Sequence, residues 1–597
     1  MTIKHLTVFS FFHFLLWSAI SLIYFATAGF YTDALGLAFT AVFIPGHIVL
    51  FALALWALCF LFSFSSSRVS AVACTLWGGL FSVFFALDIF VFSQYRFHIS
   101  MAMLQLFFGP AGREIFVFPF ATYLTAAVAV FLLFFLSRMI YRLSAKVSFG
   151  KRTFWSITAL ILLCVTAYNA LYAWGKFMMV PSIISQRGTL PYAHPLSANR
   201  RLRKWGFEPK KNPYILPNKD NITYPLNPLV CNPKNKKNIL IILVESWRSD
   251  SLKKEVMPLL LQRAKQKGMF YFSNHLSGGN ATEAGVFSLF YSMPYSYWND
   301  ITGQQIPPVL ITEAQKLGYV PAIYSSGKLN SPTFHQNIFS SVKNLRLESK
   351  GKTKWERDIQ AIEDFEQFLN DKNAQEPFFG FIFLDAPHGM EYPKEDAVIQ
   401  PAAAKGLNYL LLTKKTDPTP YLNRYFNSLH FTDRMIERIF ADLEKKNLLK
   451  DTVIILTGDH GQEINDTRNN FWGHNSNFAK YQTHVPLFVW YPELEGGQKD
   501  YRTNHYDIVP LLMSHILACQ NPLSDYSIGL DLLDDTPRPF SIISSYTKKA
   551  IQTENKLTVI DAYGSVELYD EDFTPINDGA KPEAVTEALK TFSQFYK

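Results

Sequence analysis

The sequence predicts an α/β protein in two parts: an N-terminal bundle of five membrane helices, then a domain built on a central, mostly parallel sheet sandwiched by helices. Three observations lead there. No Asp, Glu, Lys or Arg occurs between Asp33 and Arg68, whereas beyond about residue 200 charged residues recur every few positions. In that later part, short apolar runs alternate with segments of three-to-four apolar spacing, the pattern of strands and helices in turn. At 597 residues the chain is also too long for one ordinary domain.

A bilayer core about 30 Å thick needs roughly 20 apolar residues per helix. Residues 6–30, 35–64, 69–93, 115–136 and 154–174 meet that requirement, with Pro45 marking the start or a kink of the second span. The first run is too long for a cleaved signal peptide, and no small-residue cleavage site ends it. Between the fourth and fifth spans stand Arg138, Arg142, Lys146, Lys151 and Arg152 without an acidic residue, which marks that loop as cytoplasmic. Counting spans places the N-terminus in the cytoplasm and everything after the fifth span outside, periplasmic or extracellular, consistent with a bacterial inner-membrane protein. Residues 1–175 are therefore expected to form the transmembrane domain.

Residues 176–237 read as a basic connector. Arg187, Arg200, Arg201, Arg203 and Lys204 concentrate positive charge just past the last span, and Trp205 and Phe207 beside them suit a membrane interface. Anionic lipid headgroups are one reading of this stretch and a solvated linker is the other. The net charge of +8 is modest and partly reflects membrane-flanking Lys and Arg, so nucleic acid is not implied as a partner. Cys59, Cys74 and Cys164 lie in predicted spans as small apolar fillers. Cys231 and Cys519 face the outer compartment, and the sequence leaves their pairing open.

Residues 238–597 form the soluble domain. Runs 239–244, 320–324, 378–384, 452–456 and 486–490 read as buried strands, and 257–267, 359–370 and 421–446 as helices. After about residue 538 come a few strands and a last helix at 581–596, with a structural role. Ligands of such sheets bind outside the carboxyl ends of the strands.

The candidate chemistry stands at those ends. The run 452–456 leads into Gly458-Asp459-His460-Gly461, and the run 239–244 ends in Glu245. Hard carboxylate oxygens with an imidazole suit one divalent ion, and Mg, Mn and Zn fit equally. Gly278-Gly279-Asn280-Ala281-Thr282-Glu283-Ala284-Gly285 precedes an apolar helical run. Thr282 is then either a helix cap or a nucleophile beside a phosphate held at the helix amino end. His388 and His474 sit on the same predicted rim, suited to bind substrate oxygens or protonate a leaving group.

In this order, Glu245, Thr282, His388, the helix at 421–433, Gly458-Asp459-His460-Gly461, His474 and His505-Tyr506-Asp507-Ile508-Val509-Pro510 resemble the alkaline phosphatase and sulfatase superfamily over residues 236–535. Five spans followed by this sulfatase-like domain are similar to lipoteichoic acid synthases and phosphoethanolamine transferases. Asn470-Phe-Trp-Gly-His474-Asn-Ser-Asn and Tyr481-Gln-Thr-His-Val-Pro486 are similar to the PbgA (YejM) family of Gram-negative inner-membrane proteins. The resemblance implies a divalent ion on Glu245, Thr282, Asp459 and His460, with Thr282 as nucleophile and His388 and His474 on the substrate side. The Cys-x-Pro-x-Arg signature of sulfatases is absent, which argues against sulfate hydrolysis, and Glu283 adds a negative charge beside the phosphate position. The resemblance further implies lipopolysaccharide sensing through lipid A bound at Arg187, Arg200, Arg201, Arg203 and Lys204, a LapB-type partner in the membrane, and weak or vestigial phosphatase activity. An active phosphoethanolamine- or phosphoglycerol-type transferase and a cardiolipin binder or transporter are the alternatives.

Overall fold

In a bilayer the backbone can bond only to itself, so the charge-free stretches of the N-terminal third fold as helices. The computed structural model describes residues 2–28, 33–95, 98–99, 120–178, 180–208, 222–372, 376–409, 411–561, 566–577 and 582–596. It divides into two units, Met1–Asn212 and Pro213–Lys597.

The first unit holds α1 (Ile3–Ala28), α2 (Ala34–Leu61), α3 (Ser67–Tyr95), α4 (Phe120–Ser144) and α5 (Lys151–Met178). All five are long and apolar enough to cross a membrane. Asp33 caps α2 by accepting the Gly36 N–H at 2.9 Å. Pro45 lies inside α2 rather than at its start. A Cβ on the adjacent Gly46 would lie 2.5 Å from the Tyr168 ring, so glycine lets α2 and α5 approach closely. The expected fourth span is displaced: α4 runs on to Ser144 through Arg138 and Arg142, while 115–119 lie outside the described residues. Long arginine stems reach toward the headgroups from inside a helix end, so the first Arg does not terminate the span. Beyond α5, the short helix α6 (Asn199–Lys204) carries the basic cluster.

In the second unit the central sheet contains β1 (Asn238–Val244), β2 (Met269–Phe272), β3 (Val320–Ser325), β4 (Phe378–Leu384), β5 (Thr452–Gly458), β6 (Leu487–Trp490) and β7 (Gly497–Lys499). Their order is β7-β2-β6-β5-β1-β4-β3. Strands β5, β1, β4 and β3 are mutually parallel, whereas β6 runs antiparallel to both β5 and β2. The short strands β2 and β7 at one end of the sheet were not expected from the sequence.

Alternate residues of β1 feed two cores, as a strand buried on both faces requires. Ile239, Ile241 and Leu243 pack with Phe287 and Phe290 of α7 (Thr282–Tyr291). Leu240, Ile242 and Val244 pack with Ile362 and Phe365 of α8 (Lys354–Asp371) and with Leu429, Ile436 and Phe440 of α9 (Thr419–Lys445). Thr353 and Glu356 form a capping box that starts α8. A second, antiparallel sheet of β8 (Ser541–Ser544), β9 (Lys548–Thr553), β10 (Lys556–Asp561) and β11 (Val566–Asp570) is followed by α10 (Pro582–Thr591). A disulfide joins Cys231 to Cys519.

Candidate metal centre

Parallel register assembles the site. Val244 of β1 stands opposite Gly458 of β5 and Leu384 of β4, so the next residues, Glu245, Asp459 and Asp385, emerge side by side past the carboxyl edge. Ser246 then takes a left-handed φ of 60°. In that conformation its N–H donates to Asp459 Oδ1 at 2.8 Å, and the His460 N–H reaches the same oxygen at 2.8 Å.

The other oxygen is different. Asp459 Oδ2 is buried without a hydrogen-bond partner among the described residues, 3.3 Å from His460 Nε2. His460 Nδ1 lies 2.8 Å from the Gly461 carbonyl, to which only an N–H can bond. Its Nε2 therefore faces the carboxylates, 3.3 Å from Glu245 Oε1. One ligand atom each from Glu245, Asp459 and His460 falls within a 4.8 Å span.

The electrostatics of this trio describe a set short of one cation. Burial and the charge of Glu245 push the Asp459 carboxyl well above its usual range. Burial lowers His460, but Asp459 and Glu245 outweigh it and raise the imidazole to about 9. Burial likewise opposes the charge on Glu245, yet His388 and His460 hold that carboxyl well below its usual range. Two buried carboxylates and an imidazole nitrogen turned toward them, with Asp459 Oδ2 free of hydrogen bonds among the described residues, are a donor set that fits a divalent ion.

Thr282 opens α7 with its hydroxyl 3.1 Å from Glu245 Oε1 and 3.3 Å from His460 Nε2. It does not act as a side-chain cap; the N-cap is Ala281, in extended conformation. The first turn of α7 lies directly on the ligand backbone: a Cβ on Gly285 would come within 2.0 Å of the Asp459 carbonyl oxygen. Ser277 Oγ donates to that same carbonyl at 2.5 Å. The C-terminal sheet, read from sequence as merely structural, braces this loop: Asn280 N–H donates to the Ser544 carbonyl at 3.1 Å and Ser544 N–H to that of Gly278 at 2.8 Å. Glu283 accepts from the Tyr295 hydroxyl at 2.5 Å, and burial raises its carboxyl. The Tyr295 ring in turn meets Tyr546 at 5.9 Å.

Both rim histidines reach the cluster. The His474 ring is 4.2 Å from His460 and 5.4 Å from His388. Its Nδ1 lies 3.0 Å from Gln462 Oε1, and burial with the nearby imidazoles drives its pKa well down, keeping it neutral. His388 Nδ1 is 3.3 Å from Asp385 Oδ1 and 3.8 Å from Glu245 Oε1.

Sequence reasoning missed Asp385, Lys354 and Gln462. Glu245, Asp385 and His388 form a second group of potential ligands, but Asp385 is ion-paired with Lys354, and Arg357 lies 3.9 Å away. Lys354 thus takes up the charge of Asp385, whereas Glu245 and Asp459 form no ion pair with Lys or Arg among the described residues. The available signal for Asp385 was its position, directly after a buried strand like Glu245.

In the first unit, Arg201, Arg203 and Lys204 are exposed on α6, next to Trp205 at 71% and Phe207 at 57% exposure. Arg187 is tied to its own segment, with Nε donating to the Ala193 carbonyl at 3.3 Å and Nη2 2.9 Å from His194 Nδ1. The Arg200 side chain lies outside the described residues.

Residues 237–517 match the Sulfatase family, and residues 1–231 match a domain of unknown function, DUF3413. An uncharacterized protein of Haemophilus influenzae is 25% identical, aligned over 85% of this chain and 81% of its own. The inner membrane protein YejM of Salmonella typhimurium is 22% identical, over 81% of this chain and 78% of its own. Among solved structures, the integral membrane lipooligosaccharide phosphoethanolamine transferase A from Neisseria meningitidis shares the fold, with a TM-score of 0.53 at 14% identity, over 86% of this chain and 95% of that chain. The chain thus carries a DUF3413 region followed by a Sulfatase domain, and over 81% of its length it is similar to the inner membrane protein YejM.

Proposed function

We propose that the chain is an inner-membrane sensor of lipopolysaccharide that regulates outer-membrane lipid homeostasis, its N-terminus cytoplasmic and its sulfatase-like unit periplasmic. In this reading residues 1–175 span the membrane, 176–237 form the lipid-reading connector and 238–597 the sulfatase-like domain. The observation that carries it is the exposed α6, where Arg201, Arg203 and Lys204 adjoin exposed Trp205 and Phe207. Guanidinium forks pair with the phosphates of lipid A through charge-assisted hydrogen bonds, while the aromatic rings seat at the headgroup level. Similarity to YejM over 81% of the chain supports this reading, and a LapB-type partner would receive the signal through the membrane helices.

The sulfatase-like unit keeps the geometry for phosphate ester cleavage at a weak or vestigial level. Glu245, Asp459, His460 and Thr282 Oγ1 would hold a divalent ion, which when bound would supply positive charge to acidify the hydroxyl and offset that of an ester phosphate. Thr282 Oγ1 is the nucleophile, His474 stays neutral beside it, and His388, oriented by Asp385, delivers a proton to the leaving oxygen. The second reading, an active phosphoethanolamine-type transferase, is favoured by the same Thr282 contact of 3.1 Å to Glu245.

Thr282→Ala separates the two. In cells carrying only this variant, lipopolysaccharide abundance should stay regulated while hydrolysis of a small phosphate ester by the purified chain disappears. Loss of regulation together with hydrolysis contradicts the sensor and supports the transferase.

A further inference from the structure

Between the His388 turn and α9 runs a segment whose sequence and exposure the ester site does not use. Residues 398–418 carry Lys405, Lys414 and Lys415, with Asp417 as the one acidic residue. The segment's described residues are anchored to the domain. Leu407, Tyr409 and Leu412 pack into the hydrophobic layer shared with α9. Ala403 N–H donates to the Pro420 carbonyl at 2.8 Å, Asn423 Nδ2 to that of Pro401 at 2.9 Å and Asn465 Nδ2 to that of Lys414 at 3.1 Å.

Against this anchored inner side stands an unusual outer one. Leu411 is 75% exposed while Leu412 is buried, and all three lysines are exposed. Exposed Arg468 adds a fourth cation, its Nη1 bonded to the Thr416 carbonyl at 3.4 Å. The shelf also touches the rim of the site. Gly406 faces the carbonyl of Gly389, next to His388, with 3.4 Å left for an added Cβ. A Cβ on Gly473, next to His474, would lie 3.3 Å from the Tyr409 hydroxyl.

A single exposed leucine needs no explanation. An exposed leucine on an anchored segment that carries three exposed lysines, with Arg468 bonded to it, is another matter, since lysine is depleted from protein interfaces. Apolar tips flanked by Lys and Arg are the composition of segments that sit in an anionic headgroup layer. We propose that this shelf docks on an anionic lipid surface, with Leu411 entering the headgroup layer and Lys405, Lys414 and Lys415 facing lipid phosphates. Such contact is separate from α6 and needs no turnover at Thr282, so it stands or falls independently of the function proposed above.

The test uses the full chain in bilayers. A nitroxide is attached at L411C in a background where Cys59, Cys74 and Cys164 are replaced by Ala, and its collision rates with oxygen and with a water-soluble nickel complex are compared. In bilayers containing phosphatidylglycerol the oxygen-to-nickel ratio should rise above that of an aqueous surface site. It should return to the aqueous value in pure phosphatidylcholine and in the K405E/K414E/K415E variant, where loss of the three positive charges alone lowers surface partitioning about 100-fold and the three added negative charges lower it further. An aqueous ratio in both lipid compositions overturns the proposal, and so does lipid contact that ignores composition and charge reversal. A shelf serving a protein or glycan partner gives the first of these results. Unchanged circular dichroism and thermal unfolding of the charge-reversed chain show that it is folded.

Discussion

Asp459→Asn should stabilise the metal-free protein and destabilise the metal-loaded one, an inversion that follows from the two unlike oxygens of this carboxylate. Oδ1 accepts the N–H groups of Ser246 and His460 at 2.8 Å each, and an amide oxygen keeps both bonds. Oδ2 has no hydrogen-bond partner among the described residues and lies 3.3 Å from His460 Nε2; an amide NH2 there donates to Glu245, and losing the Asp459 carboxylate lowers His460 toward the neutral form, whose Nε2 accepts the second N–H. Relieving one unsatisfied buried acceptor contributes about 1–3 kcal/mol. A unit the size of Pro213–Lys597 unfolds with an entropy of about 0.8 kcal/mol/K, so the melting temperature in chelator should rise by about 1–4 °C. With metal the sign reverses. Deleting a unit charge about 4 Å from a cation costs about 4 kcal/mol at an effective dielectric near 20, hence about 1,000-fold in affinity as a floor for a divalent ion. At a metal concentration about 1,000 times its Kd, the wild type gains about 4.1 kcal/mol and the variant only about 0.4 kcal/mol. Thermal unfolding of the full chain in chelator and in excess Mn or Zn, with elemental analysis of both proteins, reads these quantities. A variant that melts lower in chelator and still holds as much metal as wild type refutes the reasoning.

Two further outcomes follow from the same cluster. Burial lowers His460, but Asp459 and Glu245 raise it to about 9 in the metal-free protein, so an incoming ion must displace its proton at any lower pH. Metal affinity should therefore climb about tenfold per pH unit toward pH 9 and level off above it, with proton release measured by titration calorimetry in two buffers; a flat profile between pH 7 and 8.5 contradicts the assignment of His460. Gly285→Ala puts a methyl 2.0 Å from the Asp459 carbonyl and should cost about 1–3 kcal/mol of stability together with metal affinity. Gly303→Ala, with nothing within 4 Å of its new methyl, is the control and should be neutral or stabilising.

Most of the site was legible because buried strands announce where they end. The apolar runs into Glu245 and Asp459 marked two strand-end carboxylates, and parallel register then made them neighbours. Thr282 was legible from glycines that serve close packing, of which Gly285 against Asp459 is the clearest. Residues joined only through tertiary contact were not. Lys354 lies far from any motif, and its pairing with Asp385 depends on α8 starting beside the end of β4. Tyr546 and Ser544 reach the site because the C-terminal sheet docks on the loop at 278–280, a long-range contact with no local signature. The short strands β2 and β7 have too few residues for alternation to register. The run 486–490 is apolar throughout, so its sequence marks burial but not direction, and β6 proved antiparallel.

Lipid A binding by the purified full chain, reconstituted in nanodiscs and measured for wild type, T282A and R201A/R203A/K204A, bears most directly on the proposed sensor. Three charge-assisted contacts at about 1.5 kcal/mol each predict at least a 100-fold loss for the triple variant, while T282A binds as wild type does. Equal binding by wild type and the triple variant, or loss of binding in T282A alone, contradicts the account.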